Sequence, residues 1–144
     1  MSGTLYGIGL GPGDPELLTL KAVRILSNVP AIAFPVPDSG HSMARAIAAP
    51  YLRPGLAEIG FGLCMRIDSA PGQAAYDDAA DAIAARLQGG EDVALLCEGD
   101  PFFYGSFLYL FERLAGRFRV DIVPGISSPL SLIHISEPTR PERI

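Results

Sequence analysis

The sequence predicts an α/β fold: a five-stranded, mostly parallel sheet with helices on both faces. Short apolar runs alternate with amphipathic helical segments along the 144 residues, and the links between them are short. The hydrophobic fraction of 49% is sufficient for one domain with a buried core. Glycine-containing kinks follow three of the apolar runs. The carboxyl ends of parallel strands meet at one edge of the sheet, where ligands bind.

Five apolar runs predict the strands. They lie within residues 5–10, 30–34, 56–64, 92–97 and 120–123. The runs are short and largely apolar rather than alternating, which is typical of strands that are buried on both faces of a parallel sheet.

Helical segments separate these runs. Asp14 is a suitable N-cap for the first helix, and the second is expected to begin at about Ser42. A loop is predicted over residues 66–72, followed by the clearest helix over residues 74–88. The last helix has apolar residues at the i, i+3, i+4 and i+7 positions of residues 107–114.

Three loops of small and kinked residues follow strands one, four and five. They are G-L-G-P-G-D-P at residues 9–15, E-G-D-P-F-F-Y-G at residues 98–105 and V-P-G-I-S-S at residues 123–128. Because each loop follows a parallel strand, all three are expected at one edge of the sheet. The sequence therefore predicts a single site there.

Charge and composition exclude several classes of protein. The formal net charge is −5, which argues against a nucleic-acid partner. The two cysteines (Cys64 and Cys97) and the two histidines (His41 and His134) have no metal-ligand spacing, so no metal site is predicted. The N-terminus has no signal-peptide pattern, and no run is long enough to span a membrane. We therefore expect a soluble cytoplasmic protein.

The glycine-rich loop at residues 9–15 has alternative interpretations. It does not match G-x-G-x-x-G, because Pro12 or Asp14 stands where the last glycine would be, and no Gly-Lys-Ser/Thr follows it. A purely structural tight turn remains an alternative. Similarly, Asp100 could act only as a helix cap.

The three loops, in this order and spacing, resemble those of the S-adenosylmethionine-dependent tetrapyrrole methyltransferases. The resemblance covers about residues 4–128 and implies two α/β domains with the cofactor S-adenosyl-L-methionine bound between them. By motif, the cofactor-binding residues would be Pro12, Asp100, Phe103, Ser127 and Ser128.

The segment F-P-V-P-D-S-G-H-S-M-A-R at residues 34–45 narrows the resemblance to the branch that methylates C20 of precorrin-2 in cobalamin biosynthesis. This branch implies a tetrapyrrole substrate and a homodimer at full length. Candidate substrate-binding residues are Asp14, His41 and Arg45, although His41 also fits a solvated loop and Arg45 a surface charge. The resemblance leaves open a cobalt-containing substrate, another methyl acceptor or an inactive fragment.

The resemblance also predicts where the domain ends. Members of the family continue past the third loop into a helix and then a second domain. Here the chain instead contains three prolines at 129, 138 and 141, which are incompatible with a long helix. We therefore expect an N-terminal methyltransferase domain over residues 1–128 and a tail over 129–144 that is foreign to the fold.

Overall fold

The computed structural model describes residues 2–36, 40–62, 70–97 and 105–125. It contains one five-stranded sheet in the order β3-β2-β4-β1-β5. The strands are β1 (Thr4–Gly9), β2 (Ala31–Val36), β3 (Ala57–Gly62), β4 (Val93–Cys97) and β5 (Arg119–Val123). All four strand pairings within these residues are parallel, which confirms the predicted fold class.

Helices cover both faces of the sheet, as predicted. Helices α1 (Leu20–Leu26) and α2 (Met43–Ala48) pack on one face, and helices α3 (Ala70–Gln88) and α4 (Gly105–Leu114) pack on the other. We call these the α1/α2 face and the α3/α4 face. A short 3-10 turn precedes α1 (Pro15–Leu17), and another follows α2 (Ala49–Tyr51).

Strand β2 shows why the runs are apolar rather than alternating. Its successive side chains point to opposite faces, so that Ala31 and Ala33 belong to the α3/α4 core, whereas Ile32 and Phe34 belong to the α1/α2 core. All four are buried. Because both faces of the sheet are covered, hydrophobic side chains are needed in both directions.

The first helical segment differs from its prediction. Asp14 caps only the 3-10 turn, through a 2.9 Å hydrogen bond that its Oδ1 accepts from the backbone N–H of Glu16. Leu18 is then extended, and α1 begins after a second cap, Thr19, whose Oγ1 accepts from the N–H of Ala22 at 3.1 Å. Two side chains that can cap a helix lie five residues apart, and the second one starts the longer helix.

The start of the third helix also differs from its prediction. The sequence predicts a loop over residues 66–72, but α3 begins at Ala70. Pro71 therefore lies in the first turn, where a backbone N–H has no intrahelical acceptor and its absence costs little. The predicted boundary is too late because proline is compatible with both a loop and a first helical turn.

The order of the strands defines the edge at which a site can form. Strand β1 lies between β4 and β5, so the three strands that precede the kinked loops are neighbours. The helices that follow β1 lie on the α1/α2 face, whereas the helix that follows β4 lies on the α3/α4 face. Adjacent strands whose connections leave toward opposite faces open a crevice at their carboxyl ends.

Candidate functional site

The carboxyl ends of the neighbouring strands β4, β1 and β5 are level with one another. Gly9 of β1 is paired with Cys97 of β4, and Ile8 of β1 is paired with Val123 of β5. One more hydrogen bond, from the N–H of Leu10 to the carbonyl oxygen of Cys97, extends the β1–β4 pairing by a residue at 2.8 Å. The strands that precede the three loops therefore end within one residue of each other in register, as the parallel-sheet prediction requires.

The loop after β1 is the part of this edge that the structure describes best. Gly11 is buried with φ of 79°, a backbone conformation that disfavours any residue with a Cβ. Pro12 and Gly13 then lie exposed at the edge of the sheet. Pro12 is therefore accessible from solvent in the loop that follows β1.

Four of the five predicted cofactor-binding residues lie outside the described part of the chain. They are Asp100, Phe103, Ser127 and Ser128. The strand ends from which their loops start, Cys97 and Val123, are described and lie on either side of β1. The assignment of these four residues therefore stays a prediction, and so does that of Pro12.

Asp14 lies in the same loop but is engaged as a cap. Its carboxylate is exposed and accepts the N–H of Glu16. We expect Asp14→Ala to destabilise the fold by about 1 kcal/mol, and Asp14→Asn to keep most of that stability because asparagine caps equally well. Thermal unfolding of the two variants measures this difference. An Asn variant as unstable as the Ala variant would show that the charge, rather than the cap, is needed.

His41 and Arg45 are brought together by the fold. Both line a cavity of about 330 Å³, whose floor contains Phe34 and Val36 from the end of β2. Asp14 is not among the residues that line it. The structure thus joins two of the three predicted substrate residues, and the third lies apart from them.

A residue that the sequence analysis missed, Glu58, completes this cavity. Its carboxylate accepts two hydrogen bonds from Arg45, one from Nε at 3.1 Å and one from Nη2 at 3.0 Å. The hydrogen bond from Arg45 lowers the pKa of Glu58, and the same bond raises the pKa of Arg45, so both groups are held in their charged forms. An acidic residue within the apolar run of β3 was the signal in the sequence that could have indicated it.

A second cavity, of about 340 Å³, lies toward the amino ends of the strands. Its charged lining residues are Lys21, Arg24, Asp92 and Asp121. Asp92 precedes β4, so this cavity is separate from the carboxyl ends where the loops begin. The described residues contain no cluster of three or more histidine, cysteine or acidic side chains that could hold a metal ion.

Comparison with known proteins adds the family to this geometry. The signature of the Tetrapyrrole (Corrin/Porphyrin) Methylases matches residues 4–136. The chain belongs to this family. The membership confirms the resemblance predicted from the three loops. The match extends beyond residue 128, and the proposed domain end at that residue stays a prediction.

Curated relatives support the membership at the level of sequence. The chain is 47% identical to the cobalamin biosynthesis protein CobIJ of Mycobacterium tuberculosis, over 88% of this chain and 26% of the relative. It is 41% identical to the precorrin-2 C(20)-methyltransferase of a Sinorhizobium species, over 88% of this chain and 55% of the relative. The chain therefore spans only a quarter to about half of the length of the relatives it matches.

Solved structures share the fold. A putative cobalamin synthesis related protein (CobF) from Corynebacterium diphtheriae has a TM-score of 0.74 and 26% identity, with 94% of this chain and 58% of that chain covered. A uroporphyrin-III C-methyltransferase from Thermus thermophilus, complexed with S-adenosylhomocysteine, has a TM-score of 0.64 and 27% identity. That comparison covers 90% of this chain and 48% of the Thermus chain. Among the described helices of our protein, none has the length and apolar character needed to cross a bilayer.

Proposed function

We propose that this chain is the S-adenosylmethionine-binding part of a methyltransferase that methylates C20 of precorrin-2 in cobalamin biosynthesis. The observation that carries the proposal is the neighbouring, level arrangement of β4, β1 and β5, because it starts all three family loops at one crevice. The similarity to a precorrin-2 C(20)-methyltransferase, at 41% identity, favours this substrate.

The charge of the described edge fits a cationic cofactor. Residues 9–16, 93–97 and 120–125 contain no lysine or arginine, and the loop after β1 carries Asp14 and Glu16. A phosphate would find no basic partner here and would meet two carboxylates, whereas a sulfonium ion is favoured. When bound, S-adenosylmethionine supplies a methyl group that the adjacent sulfonium already makes electrophilic.

The task left to the protein is positioning. In this proposal, backbone groups at Pro12, Ser127 and Ser128 would orient the cofactor, while Asp100 would face its positive charge and Phe103 would exclude water from it. Correct orientation of two reactants contributes up to about 7–11 kcal/mol to the lowering of a barrier. The proposed site is therefore built from kinked loops, and the proposal assigns no side chain as a general base.

The proposed substrate contacts come from the cavity beside β2. A tetrapyrrole of this pathway carries acetate and propionate side chains, and Arg45 and His41 are suitable donors for their carboxylates. Phe34 and Val36 offer apolar surface for the methylene groups next to those carboxylates. We expect one side-chain carboxylate of the substrate to bind here.

A second candidate substrate is the cobalt-containing form of the same tetrapyrrole. The chain is 30% identical to a cobalt-precorrin-2 C(20)-methyltransferase of Salmonella typhimurium, over 89% of this chain and 54% of the relative. Binding of the metal-free and cobalt-containing tetrapyrroles, measured side by side, distinguishes the two substrates. The tetrapyrrole that binds more tightly is then the proposed substrate.

Substitution of Asp100 tests the cofactor site. In a version of the protein with the length of its relatives, Asp100→Asn should bind S-adenosylmethionine about tenfold more weakly, because asparagine can still cap a helix but has no charge. Calorimetric titration measures the affinity, and Asp78→Asn on the exposed side of α3 is the matched control. An unchanged affinity in Asp100→Asn would leave Asp100 as a helix cap alone.

A further inference from the structure

Glu58 uses only part of the hydrogen-bonding capacity of Arg45. A guanidinium group is planar and has five N–H donors in a fixed arrangement. The pair with Glu58 is formed side-on, through Nε and one hydrogen of Nη2. Within the described residues, no hydrogen bond uses either hydrogen of Nη1 or the second hydrogen of Nη2. One hydrogen of each nitrogen forms a second, end-on fork that matches the geometry of a carboxylate.

The cavity leaves room beside this second fork. It has a volume of about 330 Å³, and the side chains of Arg45 and Glu58 are 35% and 39% exposed, so that a ligand can reach the pair from solvent. Gly60 of β3 lies next to the lining residue Val36, and a Cβ at position 60 would lie only 3.0 Å from Cγ2 of Val36. Glycine at this position therefore leaves Val36 uncrowded beside the Arg45–Glu58 pair.

Glu58 also opposes any anion that binds there. A ligand carboxylate on the end-on fork would lie one guanidinium width from the carboxylate of Glu58, and two like charges at this separation repel each other. The hydrogen bonds from Arg45 keep Glu58 ionised, so the repulsion persists at neutral pH. Among the described residues that line the cavity, His41 is the other titratable group.

We infer that Glu58 is a specificity-determining residue for the substrate. It occupies one fork of Arg45 and leaves the other fork for a single substrate carboxylate. By charge repulsion it also weakens the binding of that carboxylate. The inference rests on the proposed function, because it takes the ligand to be a carboxylate-bearing tetrapyrrole. It explains why an anion site would contain an acid. A small carboxylate alone is bound too weakly to fill the cavity, whereas a tetrapyrrole adds the apolar contact with Phe34 and Val36.

The test is a fluorescence titration of the 144-residue chain with uroporphyrin III, a stable tetrapyrrole that carries acetate and propionate groups. We expect Glu58→Gln to bind it about fivefold more tightly than the wild-type chain, since a like charge is removed next to the bound carboxylate. The matched control is Glu91→Gln. It changes the net charge equally and removes the acid of another exposed pair, Arg86–Glu91 at 3.0 Å, which lies outside the cavity. We expect no change in the control.

Two further titrations test whether the effect of Glu58→Gln acts through Arg45 and whether it depends on the charge of the ligand. In Arg45→Gln the effect of Glu58→Gln should disappear, because the fork that holds the ligand is gone. A cationic porphyrin should bind more weakly to Glu58→Gln than to the wild-type chain, the opposite of the effect on uroporphyrin.

The ways in which the inference can fail are distinguishable. Uroporphyrin binding that is equal in the wild-type chain, Glu58→Gln and Glu91→Gln would overturn the inference and leave the proposed function intact. A gain in Glu58→Gln that persists without Arg45 would overturn it as well. If neither the wild-type chain nor Glu58→Gln binds uroporphyrin at all, the cavity is not a tetrapyrrole site and the inference fails, whereas the proposed function is tested separately by the cofactor affinity of Asp100→Asn.

Discussion

Replacement of Gly3 by alanine should lower the free energy of unfolding by about 3 kcal/mol, a severe effect for the addition of one methyl group. Gly3 is buried just before β1, and its N–H donates to the carbonyl oxygen of Leu87, at the end of α3, at 2.8 Å. A Cβ at Gly3 would overlap the backbone carbonyl of Glu91. Because this obstacle is backbone, it cannot be relieved by a change of rotamer.

The expected loss of stability is large because Gly3 lies where the starts of β1 and β4 are joined. The next residue, Thr4, donates its N–H to Oδ1 of Asp92 at 2.8 Å, so the starts of β1 and β4 are fixed within two consecutive residues. A displaced Gly3 would disturb the pairing of the two central strands, on whose other ends the proposed site depends. We therefore expect the cofactor affinity of Gly3→Ala to fall together with its stability.

Chemical denaturation of Gly3→Ala and Gly116→Ala measures how much of the loss in free energy of unfolding comes from the steric overlap at Gly3. Gly116 follows α4 and does not have a positive φ, and a Cβ added there would meet no atom within 4 Å beyond its chain neighbours. Alanine there should be neutral or stabilise the protein by up to about 1 kcal/mol, through reduced freedom of the unfolded chain. Equal stabilities of the two variants would mean that the chain at Gly3 moves away from Glu91 at little cost.

The strands could be predicted because their physical signal is local. Val93, Leu95 and Cys97 face one core while Ala94 and Leu96 face the other, and a run that is apolar at every position has few other stable placements. The buried face of α3 recurs at helical spacing, a signal that is equally local. Its residues are Tyr76, Ala80, Ile83 and Leu87.

The order of the strands could not be read from the sequence by the same means. A parallel sheet requires that the loops at residues 9–15, 98–105 and 123–128 share one edge, but periodicity does not say which strands are neighbours. That β1 lies between β4 and β5 depends on packing between segments that are distant in the chain. The expectation of one site came from the parallel alternation of strands and helices, which predicts a shared edge but not that the three loops are neighbours along it.

The Arg45–Glu58 pair of the proposed substrate cavity could not be predicted from the sequence either. The two residues are 13 positions apart, on α2 and β3, and they meet because α2 packs over β2, which is the neighbour of β3 in the sheet. In the sequence Arg45 is one of several scattered arginines. Its partner, and therefore the number of hydrogen bonds it can still donate, depends on three-dimensional packing.

The 144-residue chain should not catalyse methyl transfer on its own. The structure supplies one sheet edge, and the chain covers 55% of the precorrin-2 C(20)-methyltransferase it resembles and 48% of the Thermus enzyme crystallised with S-adenosylhomocysteine. A small-molecule site normally buries about 70–90% of its ligand, and one wall of a crevice buries about half. Because each 1.4 kcal/mol changes affinity about tenfold, a loss of a few kcal/mol of contacts moves a micromolar cofactor to about millimolar affinity.

Large apolar side chains lie exposed in the segments that follow β1 and β2. Leu20 is 88% exposed and Met43 is 52% exposed, at the starts of α1 and α2, and Leu17 lies exposed at the end of the preceding 3-10 turn. Exposed side chains of this size favour association with another surface. We therefore expect the isolated chain to self-associate at high concentration, and Leu20→Lys to reduce that association in light scattering.

Incubation of the purified chain with S-adenosylmethionine and precorrin-2, with methylated product detected by mass spectrometry, measures activity directly. The control is a protein of the relatives' length assayed under the same conditions. We expect product in the control and none above background with the chain alone, because water would reach the sulfonium and the in-line geometry would be lost. Turnover by the chain comparable to that of the control would mean that residues 1–144 bury the reacting groups by themselves, and the site would then have to lie within this one sheet edge rather than between two domains.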